Sequence, residues 1–397
     1  MPLSKKRSAE SSNLHVPARR VCLLVETSSS WGRDIIRGIA SYSAKVGNWS
    51  LDLEFRGRSE TIHVPKEWQG NGIIARVTSP ELADEILRKG VPAVNVSWYD
   101  YGSPGIARCT NNEQKFGQMM AEYLMQRGFR AFAYCGSNRL LRPGYVDKVG
   151  NAFAESLIAK GFSCDRYFWP PDEPKGGYRA DLAAWLSSLN RPLGVAVWGD
   201  YTGRMITEAC RLAGLHVPND VAVISAEYDS LMNSISSPPL TAVDYQAHRV
   251  GYEAAALLDR MMAGESAPPG GVLIDPLGVI SRQSSDTMAC SDPIVAEALR
   301  YIAENSGGAL RVSQILKQFK ISRRALEQRF RKVLSRSIAE EIRRVRLDMA
   351  KRMLIDSRDP ITAIAAACGF MHPEVLTRCF QREFDVSPTE FRRSHRV

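Results

Sequence analysis

The stretches VSQILKQFKISRRALEQRF (Val312–Phe330) and ITAIAAACGFMHPEVLTRCF (Ile361–Phe380) decide how this chain is read. Each joins a short amphipathic segment, a tight turn and a second segment with a polar outer face. In the first, Ile321 sits in the turn and Ser322 is placed to cap the second helix. Leu326, Phe330 and Val333 then recur at i, i+4 and i+7, the spacing of a buried stripe. In the second, Pro360 starts the helix, and Ile361, Ile364, Ala365 and Cys368 face inward. Gly369 permits a turn of positive φ, Phe370 fills the core, and Leu376 and Phe380 point in. This is the pattern of a helix-turn-helix, whose second helix lies in the major groove of DNA. Two copies bridged by one helix, about Ser337 to Ile355, predict an all-α domain. Held about 34 Å apart, they would enter successive grooves on one face of a duplex.

The outward residues of the two second helices are the candidate DNA contacts. They are Ser322, Arg323, Arg324, Glu327, Gln328 and Arg331 in the first copy. In the second they are His372, Glu374, Thr377, Arg378 and Gln381. Arginine pairs with guanine and glutamine with adenine in bidentate fashion, whereas Glu374 tolerates DNA only by accepting from a cytosine amino group. Ile338, Ile342, Val345, Met349 and Met353 form the apolar stripe of the bridging helix. Arg343, Arg344 and Arg346 lie off that stripe, toward phosphate or solvent.

Charge supports a polyanion partner. From Asp292 to Val397 there are 21 Lys+Arg against 13 Asp+Glu, and from Met1 to Arg20 there are 5 against 1. The middle, Val21 to Ser291, has 26 against 29, so the basic charge sits at the two ends. Residues 1–19 read as a disordered basic tail. No apolar core follows its lysines, so it is not a secretory signal, and no run approaches a membrane span. The eight cysteines include no C-x-x-C pair and no histidine at zinc spacing. Reduced thiols in a cytoplasmic protein without a metal or cofactor are therefore expected.

Between the tail and the helical domain, strands alternate with helices. Apolar runs at Val21–Val25, Trp49–Phe55, Gly72–Val77 and Val91–Val96 are strands. A second set, after Thr110, has strands at Phe129–Cys135, Leu193–Trp198 and Val221–Ser225, with helices stopped by Gly128, Gly161, Gly214 and Gly264. Such alternation predicts two lobes of parallel sheet covered by helices on both faces. Ligands of such sheets bind beyond the carboxyl ends of the strands. The loops there carry Trp or Tyr beside Arg or Asp, which suits the apolar faces and hydroxyl rims of sugars. Candidate ligand residues from these loops are Trp31, Arg33, Arg76, Arg142, Asp200, Glu227 and Tyr245. Trp31 could equally be core, Arg33 could pair with Asp34, and Asp200 could simply cap its helix. The predicted organisation is a two-lobed domain over 20–282, a linker over 283–291 and the helical domain over 292–397.

ISRRALEQRFRKVL, EEIRRVRLDMAKRML, ITAIAAACGF and VSPTEFRR together resemble the DNA-binding domain of the AraC/XylS family. LLVETSSSWGRDIIRGIA, VWGDYTGRMITEACRLAGLHVPNDVAVIS and RVGYEAAALLDR resemble lactose-repressor and periplasmic sugar-binding lobes. The resemblance implies a periplasmic-binding-protein-like sensing domain fused to a double helix-turn-helix. It further implies a transcriptional activator with a sugar-like effector, a pentose such as xylose. Its partners would be operator DNA, a second copy of the chain and RNA polymerase, and it would not be an enzyme.

Some positions depart from the family pattern. Val149 or Gly150 stands where the sugar-clamping arginine is usual, with Arg142 the nearest substitute. Glu227 replaces an aspartate, while Asp200 sits where sugar binders place a hydroxyl-binding carboxylate. Val375 and Leu376 replace an aromatic pair, and Asp385 replaces a glycine. Two alternatives stand beside the sensor reading. One is a ligand-independent architectural DNA binder. The other is an enzyme on the lobes, against which the motifs G-x-S-x-G, G-x-x-x-x-G-K-[ST] and H-E-x-x-H are all absent.

Overall fold

Strand β1 (Arg19–Leu24) buries Val21 to Leu24 on both faces, as a central parallel strand must. The structure is a computed structural model and describes residues 18–57, 60–99, 101, 103–137, 146–170, 172–287, 292–308, 310–334 and 336–395. Around β1 the first sheet adds β2 (Trp49–Leu53), β3 (Gly72–Ala75), β4 (Ala93–Asn95) and β5 (Ile106–Asn111). The second sheet holds β6 (Ala131–Cys135), β7 (Asp165–Tyr167), β8 (Leu193–Val197), β9 (Val221–Ser225) and β10 (Thr241–Asp244). β11 (Val272–Ile274) returns to the first sheet, parallel to β5, and β12 (Gly278–Ile280) closes the second, antiparallel to β10. The sheet orders are β11-β5-β4-β3-β1-β2 and β12-β10-β9-β8-β6-β7, two copies of one winding.

The return of β11 revises the simple picture of two consecutive lobes. Helix α8 (Ala247–Met262), expected to finish the second lobe, instead packs on α1 (Ser30–Val46) of the first. Its fit is backbone to backbone. A Cβ at Gly251 would lie 2.0 Å from the Ile35 carbonyl, and one at Gly38 would lie 2.0 Å from that of His248. The second lobe repeats this contact with α3 (Glu113–Gln126) against α4 (Lys148–Ile158), where Gly117 meets the Val149 carbonyl.

The chain therefore crosses between lobes three times, after β5, after β10 and after β11. The crossings are tied together. Asn112 Nδ2 donates to Asp275 Oδ1 (2.7 Å), Gln246 Nε2 donates to the Asp275 carbonyl (2.8 Å), and Asn111 Nδ2 donates to the Tyr245 carbonyl. Gln246 holds a left-handed conformation, φ 52°. Three short, cross-bonded strands make a hinge.

The stretch read as a linker begins inside the second lobe. Ser284 and Ser285 are fully buried, and Ser284 Oγ donates to the Val223 carbonyl (2.7 Å). The helical domain follows with α9 (Pro293–Asn305), α10 (Val312–Phe319), α11 (Arg323–Leu334), α12 (Ile338–Asp356), α13 (Ile361–Ala367), α14 (Pro373–Phe384) and α15 (Pro388–His395). It has two apolar cores, and α12 belongs to both. Ile338 and Ile342 join Leu326 and Phe330, while Leu347, Ala350 and Leu354 join Leu376 and Phe380. The first core uses Leu334 as its fully packed member where Val333 was expected; Val333 is half-buried.

Candidate functional site

A cleft of about 460 Å³ lies beyond the carboxyl ends of the strands. Glu26, following β1, is buried, and so is Arg76, following β3. Arg76 Nη1 bonds Glu26 Oε1 at 2.5 Å. The guanidinium also lies over Trp31 (5.4 Å) and Trp98 (4.8 Å). Trp98 in turn meets Trp31 edge-on at 5.4 Å and Trp198 at 4.9 Å. The opposite wall is Ser137, Trp198, Asp200 and Glu227 of the second lobe. Asp200 is the first residue of α6 (Asp200–Leu212), so its charge meets the positive end of that helix. Indole faces opposed to carboxylates fit a ring with an apolar face and a hydroxyl rim.

Behind this cleft, at the hinge, is an inner recess of about 20 Å³. Trp31, Trp98, Asn111, Glu113, Phe116, Val149, Trp198, Glu227 and Tyr245 are among its lining residues. Trp98, Trp198 and Glu227 border both spaces, so the recess is the floor of the cleft. Glu113 opens α3, and burial pushes its carboxyl up to about 7, with nearby Lys148 opposing the rise. The Tyr245 hydroxyl donates to the Tyr228 carbonyl (2.6 Å), and burial, then Glu227, raise its pKa.

The other face of interest is on α11 and α14. Arg323, Arg324, Gln328 and Arg331 are exposed on α11. Ser322 Oγ accepts from the Ala325 N–H (3.2 Å), the expected cap. His372, Glu374, Thr377 and Arg378 are exposed on or just before α14, beside Met371, which is 81% exposed. The turn before α11 uses Lys320 at φ 47° and the turn before α14 uses Gly369 at φ 71°. Only glycine fits the second turn, since a Cβ there would lie 2.3 Å from the Gly308 carbonyl.

Three domain families match in this order along the chain. Residues 20–103 match the XylR N-terminal domain, residues 121–285 a periplasmic binding protein-like domain, and residues 315–394 a helix-turn-helix domain. The chain is a XylR-type regulator. It is 27% identical over 381 residues to the xylose operon regulatory protein of Escherichia coli K12, covering 94% of this chain and 96% of that one. The protein of that name from Haemophilus influenzae is 25% identical over 387 residues, covering 94% and 98%. In fold, the chain resembles the structure of the xylose-binding transcription activator xylR, with a TM-score of 0.63, 24% identity and coverage of 97% and 100%. The lobes also resemble a LacI-type regulator from Alkaliphilus metalliredigens complexed with D-xylulofuranose, with a TM-score of 0.51, 17% identity and coverage of 68% and 99%.

Within this XylR-type frame, the expected ligand residues separate into groups. Trp31, Arg76, Asp200, Glu227 and Tyr245 all line the cleft or its recess. Arg33 does not pair with Asp34, which bonds Arg37 instead. Its Nη1 donates to the Thr27 carbonyl (3.0 Å), and it is not among the residues lining either space. Arg142 lies outside the described residues. At the clamp position Val149 is fully buried in the recess wall. A side chain at Gly150 would run into the Tyr134 ring, 2.3 Å away, so an arginine has no room there. Glu26, Trp98, Trp198 and Glu113 were not singled out from sequence. Trp98 sits in a loop expected to line the cleft. Glu113 was hidden because β5 ahead of it was not read as a strand.

Among the expected DNA contacts, two are engaged by the protein itself, Glu327 half-buried and Gln381 on the surface. Glu327 is half-buried and accepts from the Ile338 N–H (3.4 Å) at the start of α12. Gln381 Nε2 donates to the Asp385 carbonyl (3.1 Å), closing the end of α14 where Asp385 takes φ 57°. Two of the arginines of α12, Arg344 and Arg346, are likewise internal ties rather than phosphate contacts. Arg346 Nη2 donates to the Gly308 (2.9 Å) and Leu310 (3.0 Å) carbonyls, and Arg344 bonds Glu341 and Asp348.

The two sites are joined by α3. Its first residue, Glu113, lines the recess, and its last carbonyl, that of Gln126, accepts from Arg336 Nη2 (2.7 Å) just before α12. Fourteen residues make a rod of about 21 Å. Lys351 adds a second tie, donating from a fully buried position to the Val279 carbonyl on β12 (2.9 Å).

Proposed function

We propose that this XylR-type regulator is a cytoplasmic, homodimeric activator that senses a small neutral sugar, a pentose such as D-xylose, in the cleft between its lobes. The observation that carries the reading is the pairing of indole faces with buried carboxylates at a hinge, joined by α3 to the DNA-binding domain. The names of the relatives, which refer to the xylose operon, point the same way.

Sugar bound across the hinge favours one orientation of the lobes. Because the second lobe holds α12 through Arg336 and Lys351, that orientation biases where α11 and α14 are presented. Coupling of this kind is typically worth about 1–3 kcal/mol. An activator so arranged would touch RNA polymerase from the exposed face of its helical domain, and it would release its sugar chemically unchanged.

The test is titration of the full chain with D-xylose, L-arabinose and D-ribose, read by calorimetry and by affinity for a DNA site selected in vitro. A pentose that binds and shifts DNA affinity roughly 5- to 150-fold supports the reading. DNA affinity unmoved by any pentose at millimolar concentration, or consumption of the sugar, overturns it.

A further inference from the structure

Three residues that line the inner recess carry buried polar atoms without a hydrogen-bond partner among the described residues. Glu113 is 7% exposed, and its Oε1 has no hydrogen-bond partner among the described residues. Trp31 and Trp98 line the recess too, and their buried indole Nε1 groups likewise have no partner among the described residues. Their neighbours are already engaged. Tyr245 O–H donates to the Tyr228 carbonyl, and Asn111 Nδ2 donates to the Tyr245 carbonyl. Buried polar groups left unpaired are costly and rare, so such a set marks a place where a ligand group is expected.

The space is about 20 Å³, enough for one water-sized group. A hydroxyl satisfies both kinds of unpaired atom, because it donates to a carboxyl oxygen and accepts from an indole N–H. An ammonium has no acceptor to offer the indoles, and a carboxylate has no proton to offer Glu113.

We infer that Glu113 is a specificity-determining residue, which takes one effector hydroxyl in the recess where the family's clamping arginine is missing. This rests on the reading of the cleft as a neutral-sugar site. It adds that recognition at the hinge runs through an acceptor on α3, with the wall around Val149 supplying only shape.

The experiment measures binding of D-xylose, its monodeoxy derivatives and D-xylonate to the full chain and to the Glu113→Gln and Glu113→Leu variants. In the natural chain one monodeoxy derivative should bind roughly 100-fold or more weakly than the parent, as sites built around a hydroxyl reject analogues lacking it. D-Xylonate should bind weakly too. Glu113→Gln, whose amide oxygen still accepts, should keep much of that discrimination. Glu113→Leu should bind the parent and that derivative alike. Monodeoxy derivatives all within threefold of the parent in the natural chain would overturn the assignment, and so would Glu113→Leu retaining full discrimination. Failure of D-xylose and every derivative to bind the natural chain would sink the sugar-sensor reading itself, and this inference with it.

Discussion

Arg127, the residue that ends α3, holds its guanidinium 3.6 Å from Asp348 in the middle of α12. Both groups belong to a network that stitches the second lobe to the DNA-binding domain. Arg127 Nε donates to the Ser285 carbonyl (3.2 Å), Nη2 donates to Ser281 Oγ (3.1 Å), and the plane stacks on Tyr123 at 3.6 Å. Across the seam, Arg344 bonds Asp348 (2.5 Å) and Glu341 (2.7 Å), and Arg336 reaches Glu341 (2.6 Å). Burial lowers the affinity of Arg127 for its proton, so this arginine depends on its hydrogen bonds to remain comfortable there.

Arg127→Met should separate sensing from response. Removing one side of a buried pair costs about 3 kcal/mol or more in stability, read as a lower melting temperature. Sugar affinity, measured by calorimetry, should stay within about threefold, since the contact is a helix-length from the cleft. The sugar-dependent change in DNA affinity should fall to near zero. An unchanged sugar response in the variant would show that the seam transmits nothing.

Acid should open the same seam. Burial alone would raise the Glu341 carboxyl, but Arg344, Arg336 and Arg127 outweigh it and hold the group at about 2. Because the folded-state value lies below the ordinary one, the stabilisation is present above pH 4.5 and is lost as pH falls toward 2. It is on the order of 3 kcal/mol. Glu113 works in the opposite direction. Its raised value means folding takes up a proton, so its contribution declines as pH rises from about 4.5 to 7. Denaturant midpoints across pH should show Glu341→Gln flattening the acid limb and Glu113→Gln flattening the decline toward neutral pH.

The two DNA-reading helices should contribute unequally. α11 exposes Arg323, Arg324, Gln328 and Arg331, whereas α14 exposes Arg378 beside the repelling Glu374. Arg324→Ala should therefore weaken specific binding by about 1–3 kcal/mol, and more than Arg378→Ala does. Equal losses in a salt-matched binding assay would contradict that order.

Restoring an arginine at Gly150 should not restore a clamp. The Tyr134 ring occupies that direction, and the Tyr134 hydroxyl is held by Asp147 Oδ1 (3.0 Å). Gly150→Arg should lose at least about 1–3 kcal/mol of stability through overpacking and gain no sugar affinity. Tighter sugar binding by the variant would show that the ring gives way.

Local signals in the sequence carried the element types well. The cap at Ser322, the turn at Gly369 and the apolar run at Val21 each act within a few residues of themselves. What they could not carry was partnership. Nothing near Gly251 says that α8 leaves the lobe it follows; that is settled by a backbone fit to Ile35, more than 200 residues away. Charge was misleading for the same reason. Arg344 and Arg346 look like a basic face along α12, yet their partners, Asp348 and the carbonyls of Gly308 and Leu310, absorb them.

The sequence by itself determined that two strand-and-helix lobes precede a double helix-turn-helix, because periodicity, caps and breakers are properties of neighbouring residues. Only the tertiary structure decided where β11 and α8 belong, that the three crossings form a hinge, and that Glu113 and Arg127 occupy the two ends of one rod. Those are consequences of long-range packing and of satisfying buried polar groups, and they depend on which distant residue fills a given space.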